Sequence, residues 1–400
     1  MSMNIGMSGL IATSEQMNSI SHNIANVGTA GYKSSRTEFQ DIYAPEFGGG
    51  EMNGVEVAAV RQSFKNGTTT PTGRNGDLAI NGEGFFMVES NGQDMYTRNG
   101  VFNLDKNGYL VTSDGSRLQG YGVTDSGQIQ TGSITDLAVA TGEMPARSST
   151  KVNMGVNLDA NSPAIDPAQK IFDPEDPSTF TSSATTTVYD SLGAEHEVTQ
   201  YYVKTADNAW NVNYVVDGDK ASAQKTTLAF DANGKLTSSN NFDLTFTPKN
   251  GSAQQTIQFD VEETTQFGSE FSIAKNSQDG HAPGQVAGWY FEADGRVYAR
   301  YSNGQTKVQG QVALARFPNQ EGLQQAGNTR WTQTFSSGSA LVGAAGTGQL
   351  GDVRTGMYEN SNVDLSSEMV NLMSAQSNYQ ANAKTIKVAQ EMTQILFQNL

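Results

Sequence analysis

Both ends of this chain carry an apolar stripe at helical spacing, while the sequence between them has the patterns of β-structure. In residues 3–27 the apolar positions are mostly three and four apart, which predicts an amphipathic helix. The stripe comprises Met3, Met7, Leu10, Met17, Ile20, Ile24 and Val27. Gly6 and Gly9 lie within it, and each costs a helix about 1 kcal/mol relative to Ala. We therefore expect this helix to need a partner that covers its stripe.

The C-terminal segment, residues 361–400, contains neither Gly nor Pro and predicts a second, longer helix. Its apolar residues first keep heptad-like spacing and then shift phase, as a stutter would. They are Leu365, Met369, Leu372, Tyr379, Ala383 and Ile386, followed by Ala389, Met392, Leu396 and Leu400. Ser361 and Asp364 are placed to cap the start of this helix.

Short runs rich in β-branched and aromatic residues fill the middle of the chain. From 76 to 122 they alternate with turn dipeptides, which predicts a chain of tight hairpins. The dipeptides are Asn81-Gly82, Asn91-Gly92, Asn99-Gly100, Asn107-Gly108 and Asp114-Gly115. Further β-rich blocks span 146–283 and 288–317.

These patterns predict a multidomain α+β protein. Long N- and C-terminal helices would form a coiled-coil-like inner domain, joined to two nested, mostly antiparallel β-domains. The expected domains are 1–70 with 353–400 for the helices, 71–145 with 284–352 for a middle β-domain, and 146–283 for an outer β-domain inserted in the middle one. Residues 31–75 would be a linker, with Gly48-Gly49-Gly50 as its flexible point.

The charge balance argues against two classes of partner. With 25 Lys and Arg against 41 Asp and Glu, the net charge is −16, which disfavours binding to nucleic acid and to anionic membranes. No apolar run is long enough to span a bilayer. The start of the chain also lacks the basic and continuous apolar regions of a secretory signal peptide. Cysteine is absent, so disulfides and thiol chemistry are excluded.

No pattern indicates a catalytic, cofactor or metal site. His22, His196 and His281 fall in three different predicted regions, without metal-ligand spacing. Residues 346–351 match the glycine pattern of dinucleotide-binding loops, but no βαβ unit surrounds them, so we interpret them as a connector. An enzyme is therefore the least favoured function.

Two binding functions remain open from the residues alone. The terminal stripes could dock on the chain's own core, or they could pack against other copies of the chain. Alternatively, the acidic β-rich middle could be a surface adhesin or a carbohydrate-binding module, with Trp210 and Tyr214 stacking on sugars. Their alternation with polar residues favours core packing instead.

Both ends of the chain resemble the bacterial flagellar axial proteins, the rod and hook family. The N-terminal match consists of Ser8-Gly9-Leu10, Asn23-Ile24-Ala25-Asn26 and Gly31-Tyr32-Lys33, with His22 in place of the usual first Asn. The C-terminal match consists of Ser361-Asn362-Val363-Asp364-Leu365 and the run Tyr379-Gln380-Ala381-Asn382-Ala383-Lys384. Residues 76–122 are similar to the β-domain that these proteins share.

The resemblance implies a structural role outside the cell. The chain length and the extra β block at 146–283 favour the hook branch over the distal rod, so copies would form a curved hollow tube that transmits torque from motor to filament. Implied partners are other copies, distal rod, hook cap and hook–filament junction proteins, and the flagellar type III export apparatus, without a cleaved signal. The expected packing residues are Leu10, Met17, Ile20, Ile24, Leu365, Met369, Leu372, Tyr379, Ile386 and Leu396.

Overall fold

The computed structural model describes residues 2–44, 51–124 and 127–398. It is mostly β-structure between two terminal helices, as the sequence predicts. Helix α1 spans Ser2–Ala25 and helix α2 spans Leu365–Gln398. Over the described residues, neither helix has the length and apolar character needed to cross a membrane. The predicted flexible point, Gly48-Gly49-Gly50, lies outside the described residues.

The first strands in chain order are β1 (Ser35–Ala44), β2 (Glu51–Gln62), β3 (Thr69–Pro71), β4 (Leu78–Asn81), β5 (Phe85–Ser90), β6 (Gln93–Thr97), β7 (Asn103–Leu104), β8 (Leu110–Val111), β9 (Arg117–Val123) and β10 (Ile129–Asp136). They are followed by β11 (Lys151–Asp159), β12 (Ser182–Tyr189), β13 (Glu195–Ala206), β14 (Ala209–Val216), β15 (Asp219–Ala229), β16 (Asn241–Phe246), β17 (Gln255–Asp260), β18 (Thr265–Phe267) and β19 (Ser272–Gln278). The last are β20 (Val286–Phe291), β21 (Arg296–Tyr301), β22 (Thr306–Arg316), β23 (Gln324–Gly327), β24 (Arg330–Thr332), β25 (Leu341–Ala344), β26 (Asp352–Thr355) and β27 (Met357–Glu359). Short 3₁₀ helices occur at Pro177–Thr179 and Gln320–Gly322.

The chain divides into two compact units. The first unit comprises Met1–Thr141, Ala287–Arg300 and Thr306–Leu400, and the second comprises Gly142–Val286 and Tyr301–Gln305. The finer division into three nested domains stays a prediction.

The second unit is built from two sheets that share one apolar core. One sheet has the order β12-β13-β14-β15, and the other has the order β16-β17-β11-β18 with β19 beside β11. Alternating residues of these strands point into the core, which is why the sequence alternates. Trp210 and Tyr214 are buried in it, so they are not available to stack on a sugar.

The first unit contains a large antiparallel sheet with the order β20-β21-β22-β9-β5-β6-β24-β23. Its aromatic core includes Phe85, Tyr96, Phe317 and Trp331, which meet edge to face. The residues of β5 and β22 that belong to this core, Phe85, Met87, Ala313 and Ala315, are all apolar.

Three of the five turn dipeptides form the tight hairpins that the sequence predicts. Asn91-Gly92 joins β5 to β6, Asn107-Gly108 joins β7 to β8, and Asp114-Gly115 joins β8 to β9. The prediction is wrong at Asn81-Gly82 and Asn99-Gly100, because within the described residues β4 pairs with the distant β26 and β6 pairs with β5 and β24. Pairing with strands far along the chain is invisible to a local turn rule.

The glycine-rich stretch 346–351 connects β25 with β26. A dinucleotide-binding loop would open a helix, whereas a strand follows here. The interpretation as a connector therefore agrees with the structure, although the chain passes through β26 and β27 before it reaches α2.

Candidate assembly surface

The two terminal helices lie antiparallel, and glycines mediate their closest approach. A Cβ at Gly6 would lie 2.8 Å from Ile386 Cγ1, and a Cβ at Gly9 would lie 2.7 Å from a side chain of α2. Near the other end of α1, Asn23 Nδ2 donates to Glu368 Oε1 over 3.3 Å. The glycines that weaken α1 as an isolated helix therefore allow it to approach α2 closely.

The covered face of α1 differs from its apolar stripe. Its buried residues are Gly6, Gly9, Ala12, Thr13, Ser19, Ile20 and Asn23. Gly6 and Gly9 lie where α2 leaves no room for a larger side chain, and Ser19 and Asn23 donate hydrogen bonds to Ser35 O at the start of β1. Of the predicted stripe only Ile20 is buried, with 6% of its surface exposed. Of the other stripe residues, Met3, Met7 and Val27 are exposed, and Leu10, Met17 and Ile24 are half-buried.

Both helices expose large apolar side chains, and we call these residues the assembly surface. On α1 they are Met3, Ile5, Met7 and Ile11, and on α2 they are Leu365, Met369, Val370, Met373, Tyr379, Val388 and Met392. Ile11 keeps 65% of its surface exposed, although it is an aliphatic residue in the middle of a helix. Soluble monomers rarely expose many such residues on adjoining elements, so this surface is typical of an interaction site.

The predicted packing residues fall into four groups. Leu365, Met369 and Tyr379 are exposed, and Leu10, Met17, Ile24, Leu372 and Ile386 are half-buried. The side chain of Leu396 lies outside the described side chains. Ile20 requires a correction, because it is already covered within its own chain and lies on the internal face of α1.

An antiparallel hairpin of β1 and β2 packs against α1 where the sequence predicts a linker. Its strands pair from Ser35 opposite Gln62 outward. The hairpin comes closest to the helix at Gly54, where a Cβ would lie 2.1 Å from Ser8 Oγ. The neighbouring Val55 N–H donates to that same oxygen over 3.3 Å. The described residues of 31–75 therefore include a hairpin that supports one side of the helix pair.

Asn23 of the N-terminal signature ties both helices to the start of β1. Its Oδ1 accepts hydrogen bonds from Ser35 N–H over 2.9 Å and from the Tyr32 hydroxyl over 3.3 Å. Its Nδ2 donates to Ser35 O over 2.8 Å and to Glu368 on α2. A buried amide that uses both ends in this way holds its neighbours in one geometry.

Lys33 and two partners that the sequence analysis did not identify form a buried charge cluster. Lys33 Nζ lies 2.7 Å from Glu359 Oε1, and Arg98 Nη1 lies 3.2 Å from Glu359 Oε2. The cluster contains two cations and one carboxylate, so it has an excess positive charge. Backbone carbonyl groups stabilise this charge: Lys33 donates to Lys65 O and Arg98 donates to Gly82 O. Burial lowers the pKa of Lys33, and the Glu359 carboxylate offsets only part of that effect.

Gly31 is required for the backbone to pass through this cluster. Its N–H donates to Glu359 O over 2.8 Å, and its φ of +69° lies in the left-handed region. A Cβ there would lie 2.4 Å from Asn99 N, so both conformation and space require glycine.

The C-terminal signature supplies the matching half of the network. Asn362 Oδ1 accepts from Ser34 N–H over 2.7 Å, and its Nδ2 donates to Ser63 O over 2.7 Å. Asp364 caps α2, since its Oδ1 accepts from Ser367 N–H over 2.8 Å. We call the whole network the terminal lock, and its residues are Asn23, Gly31, Tyr32, Lys33, Arg98, Glu359 and Asn362.

The remaining signature residues lie outside the lock. Asn26 closes the end of α1, where its Nδ2 donates to His22 O over 2.9 Å. Ala25 and Gln380 are exposed, and Asn382 is the half-buried side chain that meets Gly9. Ser361 does not cap α2 as predicted, because its Oγ accepts from the N–H of the residue two positions later.

Sequence reasoning missed Arg98, Glu359 and Glu368. Glu359 is the last residue of β27 and lies just before the C-terminal signature. An acidic residue at that position was the signal by which the sequence could have identified it. Arg98 carries no such signal, because it lies in a row of turns and strands whose partner strands are distant in sequence. Burial raises the pKa of Glu368, which contacts Asn23 in the first turn of α2.

The geometry of the terminal lock and of the assembly surface favours a structural and binding role over a catalytic one. The charged groups of the terminal lock, Lys33, Arg98 and Glu359, are buried and paired with one another, so they are closed off from solvent. The assembly surface, in contrast, offers flexible methionines and aliphatic side chains that can adapt to an apolar partner.

Family models of flagellar axial proteins match most of the chain. The model described as "Flagella basal body rod protein" matches residues 3–33, and "Flagellar hook protein FlgE/F/G D1 domain" matches 79–162. "Flagellar basal body protein FlaE D2 domain" matches 157–281, and "Flagellar basal body rod FlgEFG protein C-terminal" matches 354–399. The last match contains Glu359 and Asn362, and the first contains the other half of the terminal lock apart from Arg98.

Individual relatives agree with these models. The chain is 40% identical over 406 residues to the flagellar hook protein FlgE of Salmonella typhimurium, with 99% of both chains covered. It is 39% identical to that of Escherichia coli and 35% identical to that of Rhizobium meliloti, with 97% or more of each chain covered. The crystal structure of Helicobacter pylori flagellar hook protein FlgE2 shares the fold, with a TM-score of 0.55 at 14% identity, and the match covers 71% of this chain and 99% of that one.

Proposed function

Because this chain belongs to the flagellar hook protein family, we propose that its assembly surface forms the contacts through which copies build the hook. The family is structural rather than catalytic. Near-complete matches to hook proteins favour a hook subunit over the distal rod protein that the sequence left as an alternative. The flagellum is accordingly where the protein acts.

One observation carries the proposal: both helices of a single chain leave large apolar side chains exposed. Ile11, Met373 and Met392 each keep more than half of their surface in solvent. Helix pairing within the chain uses the opposite, small-residue face of α1, so it does not compete for these residues. A second copy can therefore add to the helix pair without displacing anything.

Repeated contacts of this kind would close the helices of many copies into an inner tube, with coiled-coil-like packing between subunits. Burial of apolar surface contributes about 25 cal/mol per Å². Its contribution does not depend on direction, so a contact can slide slightly and keep most of its strength. Methionines at the contact suit this role because their side chains adapt as neighbouring subunits shift.

The β-structure would then lie further from the tube axis, as a middle domain of 71–145 with 284–352 and an outer domain of 146–283. The compactness of the second unit supports the outer domain. Few charges on such domains would let copies change spacing without breaking strong ion pairs. The tube could bend as a universal joint while the helices carry the torque.

Further partners follow from this role. A hook must join a distal rod protein at its base, a cap while it grows, and junction proteins at the filament. Its subunits would reach the growing end through the flagellar type III export apparatus without a cleaved signal. The marginal stability of α1 as an isolated helix supports passage in an unfolded state.

The proposal is tested by adding a charge to the assembly surface of the full-length chain. Leu365→Asp should abolish polymers seen by sedimentation and electron microscopy, while thermal melting of the monomer stays close to wild type. Ser366→Asp is the matched control, because it adds the same charge one position further along at an exposed polar residue. Normal polymer yield from Leu365→Asp would contradict the proposal.

A further inference from the structure

A second apolar feature lies in the first unit, on a loop rather than on a helix. Phe335, in the loop between β24 and β25, is as exposed as in an extended peptide, at 105% relative accessibility. A fully solvated Phe is unusual, because burying its side chain is worth about 1.5–3 kcal/mol. The ring is therefore available to a partner.

Phe335 is exposed because hydrogen bonds hold its loop in one conformation. Thr334 Oγ1 donates to Gly322 O over 2.6 Å, and Thr334 N–H donates to Ser337 Oγ over 2.9 Å. Asn319 Nδ2 donates to the carbonyl of Ser336 over 3.0 Å. Ser337 is completely buried. Hydrogen bonds on both sides of the ring thus hold it in solvent, so a partner would lose little loop entropy on binding it.

The segment that carries this ring has no charged side chain. Residues 331–351 contain no Asp, Glu, Lys or Arg, in a chain whose net charge is −16. Leu341 and Val342 on β25 are also exposed, and Leu341 pairs with Arg316 at the end of β22, close to where the Phe335 loop is fastened. Arg316 itself is paired with Glu83 over 2.9 Å.

We propose that Phe335, with Leu341 and Val342, docks against a second copy of this chain within the polymer. The inference rests on the proposed function and adds a contact outside the helices. Copies of an acidic chain repel each other over most of their surface. A segment without charged side chains that presents an aromatic ring is where two copies can meet at low electrostatic cost, and a few well-placed anchor residues dominate interface energies.

A single cysteine can report on this contact, because the natural chain has none. In Phe335→Cys the thiol should react quickly with a maleimide in the monomer and about tenfold or more slowly in polymer assembled from the purified chain. Ile171→Cys is the matched control. Ile171 is 83% exposed on a loop of the second unit, outside the segment that the proposal invokes, so a general loss of thiol reactivity in the polymer would appear there as well. Its thiol should react at similar rates in both states.

Each outcome decides the inference. Slow reaction at 335 with fast reaction at 171 supports it. The inference is also supported if Phe335→Cys fails to assemble while Ile171→Cys assembles, provided that the Phe335→Cys monomer melts like wild type. Equal reactivity of the 335 thiol in monomer and polymer would overturn the inference and leave the helix-driven assembly intact. Protection only in hooks attached to cells would also overturn it, because another flagellar protein would then cover the ring.

Discussion

Lys33 Nζ and Glu359 Oε1 lie 2.7 Å apart although their residues are 326 positions apart in the chain. Lys33 follows α1 and Glu359 precedes α2, so this buried pair fixes where one helix ends relative to the start of the other. Arg98 joins the same carboxylate from the β-structure. The terminal lock therefore sets the register of the helix pair from outside the helices themselves.

Lys33→Met should lower the free energy of unfolding by about 3 kcal/mol, because it removes one partner of a buried ion pair. The loss stays at the lower end of the usual range, since Glu359 keeps Arg98 as a partner. Glu359→Gln should cost more, because it leaves two buried cations without a carboxylate. Chemical denaturation of the monomer measures both.

Lys65→Met is the control for that series. Its side chain is exposed, and only its carbonyl oxygen takes part in the lock. The free energy of unfolding should change by no more than about 0.5 kcal/mol. Equal effects of the Lys33 and Lys65 substitutions would argue against a stabilising role for the lock.

Gly9→Val should weaken the pairing of α1 with α2, since a Cβ at Gly9 would lie 2.7 Å from the Asn382 side chain. Overpacking of this kind typically costs about 1–3 kcal/mol. Asn382→Ala in the same chain should restore part of the loss, because it removes the atoms that clash. Hydrogen exchange of the α1 amides measures the pairing. Ser14→Val, at an exposed position of the same helix, controls for the helix propensity of valine.

The sequence predicts both helices and most hairpin turns, since spacing and turn dipeptides are local signals. It does not predict which face of α1 is covered, because Gly6 and Gly9 score as weaknesses of a helix until the close approach of Ile386 and Asn382 is known. The sequence predicts a linker over residues 31–75, because the packing of the β1–β2 hairpin depends on contacts with Ser8 that no local pattern shows.

The signature motifs also show that local patterns do not reveal which residues meet in the fold. Resemblance identifies Asn23, Lys33 and Asn362 as characteristic residues, but their spacing gives no indication that they share one buried network. Arg98 completes that network from a strand end, and only the fold brings it within 3.2 Å of Glu359. Partners that meet through long-range β-pairing cannot be found by reading along the chain.

The second unit should lose stability as the pH rises through neutrality. Burial alone would lower the pKa of His196, but hydrogen bonds with Asp217 and Asp190 outweigh it and raise that pKa above its ordinary value of about 6.5. A histidine with a raised folded-state pKa stabilises fully below its unfolded pKa, and that contribution disappears as pH rises through the folded pKa. The melting temperature of this unit should therefore be higher at about pH 6 than at about pH 8.

His196→Gln tests this assignment, because it keeps a polar side chain but removes the titration. The variant should melt lower than wild type below neutrality and should show a flatter pH dependence across the same window. Proton NMR of the histidine ring, assigned by the signal that the variant loses, gives the pKa directly. A value at or below the ordinary one would contradict the prediction.

Removing residues 146–283 should leave the chain able to polymerise and change the curvature of the polymer. The cut is favourable because Met144 and Gly284 are hydrogen-bonded neighbours, with Met144 N–H 2.7 Å from Gly284 O and Gly284 N–H 3.0 Å from Met144 O. Rejoining the chain there spans a short distance and leaves α1, α2 and the terminal lock untouched. Electron microscopy of the polymer beside the full-length one measures yield and curvature separately. Complete loss of polymer from a shortened chain that still melts cooperatively would mean that contacts of the removed domain, rather than the assembly surface, drive assembly.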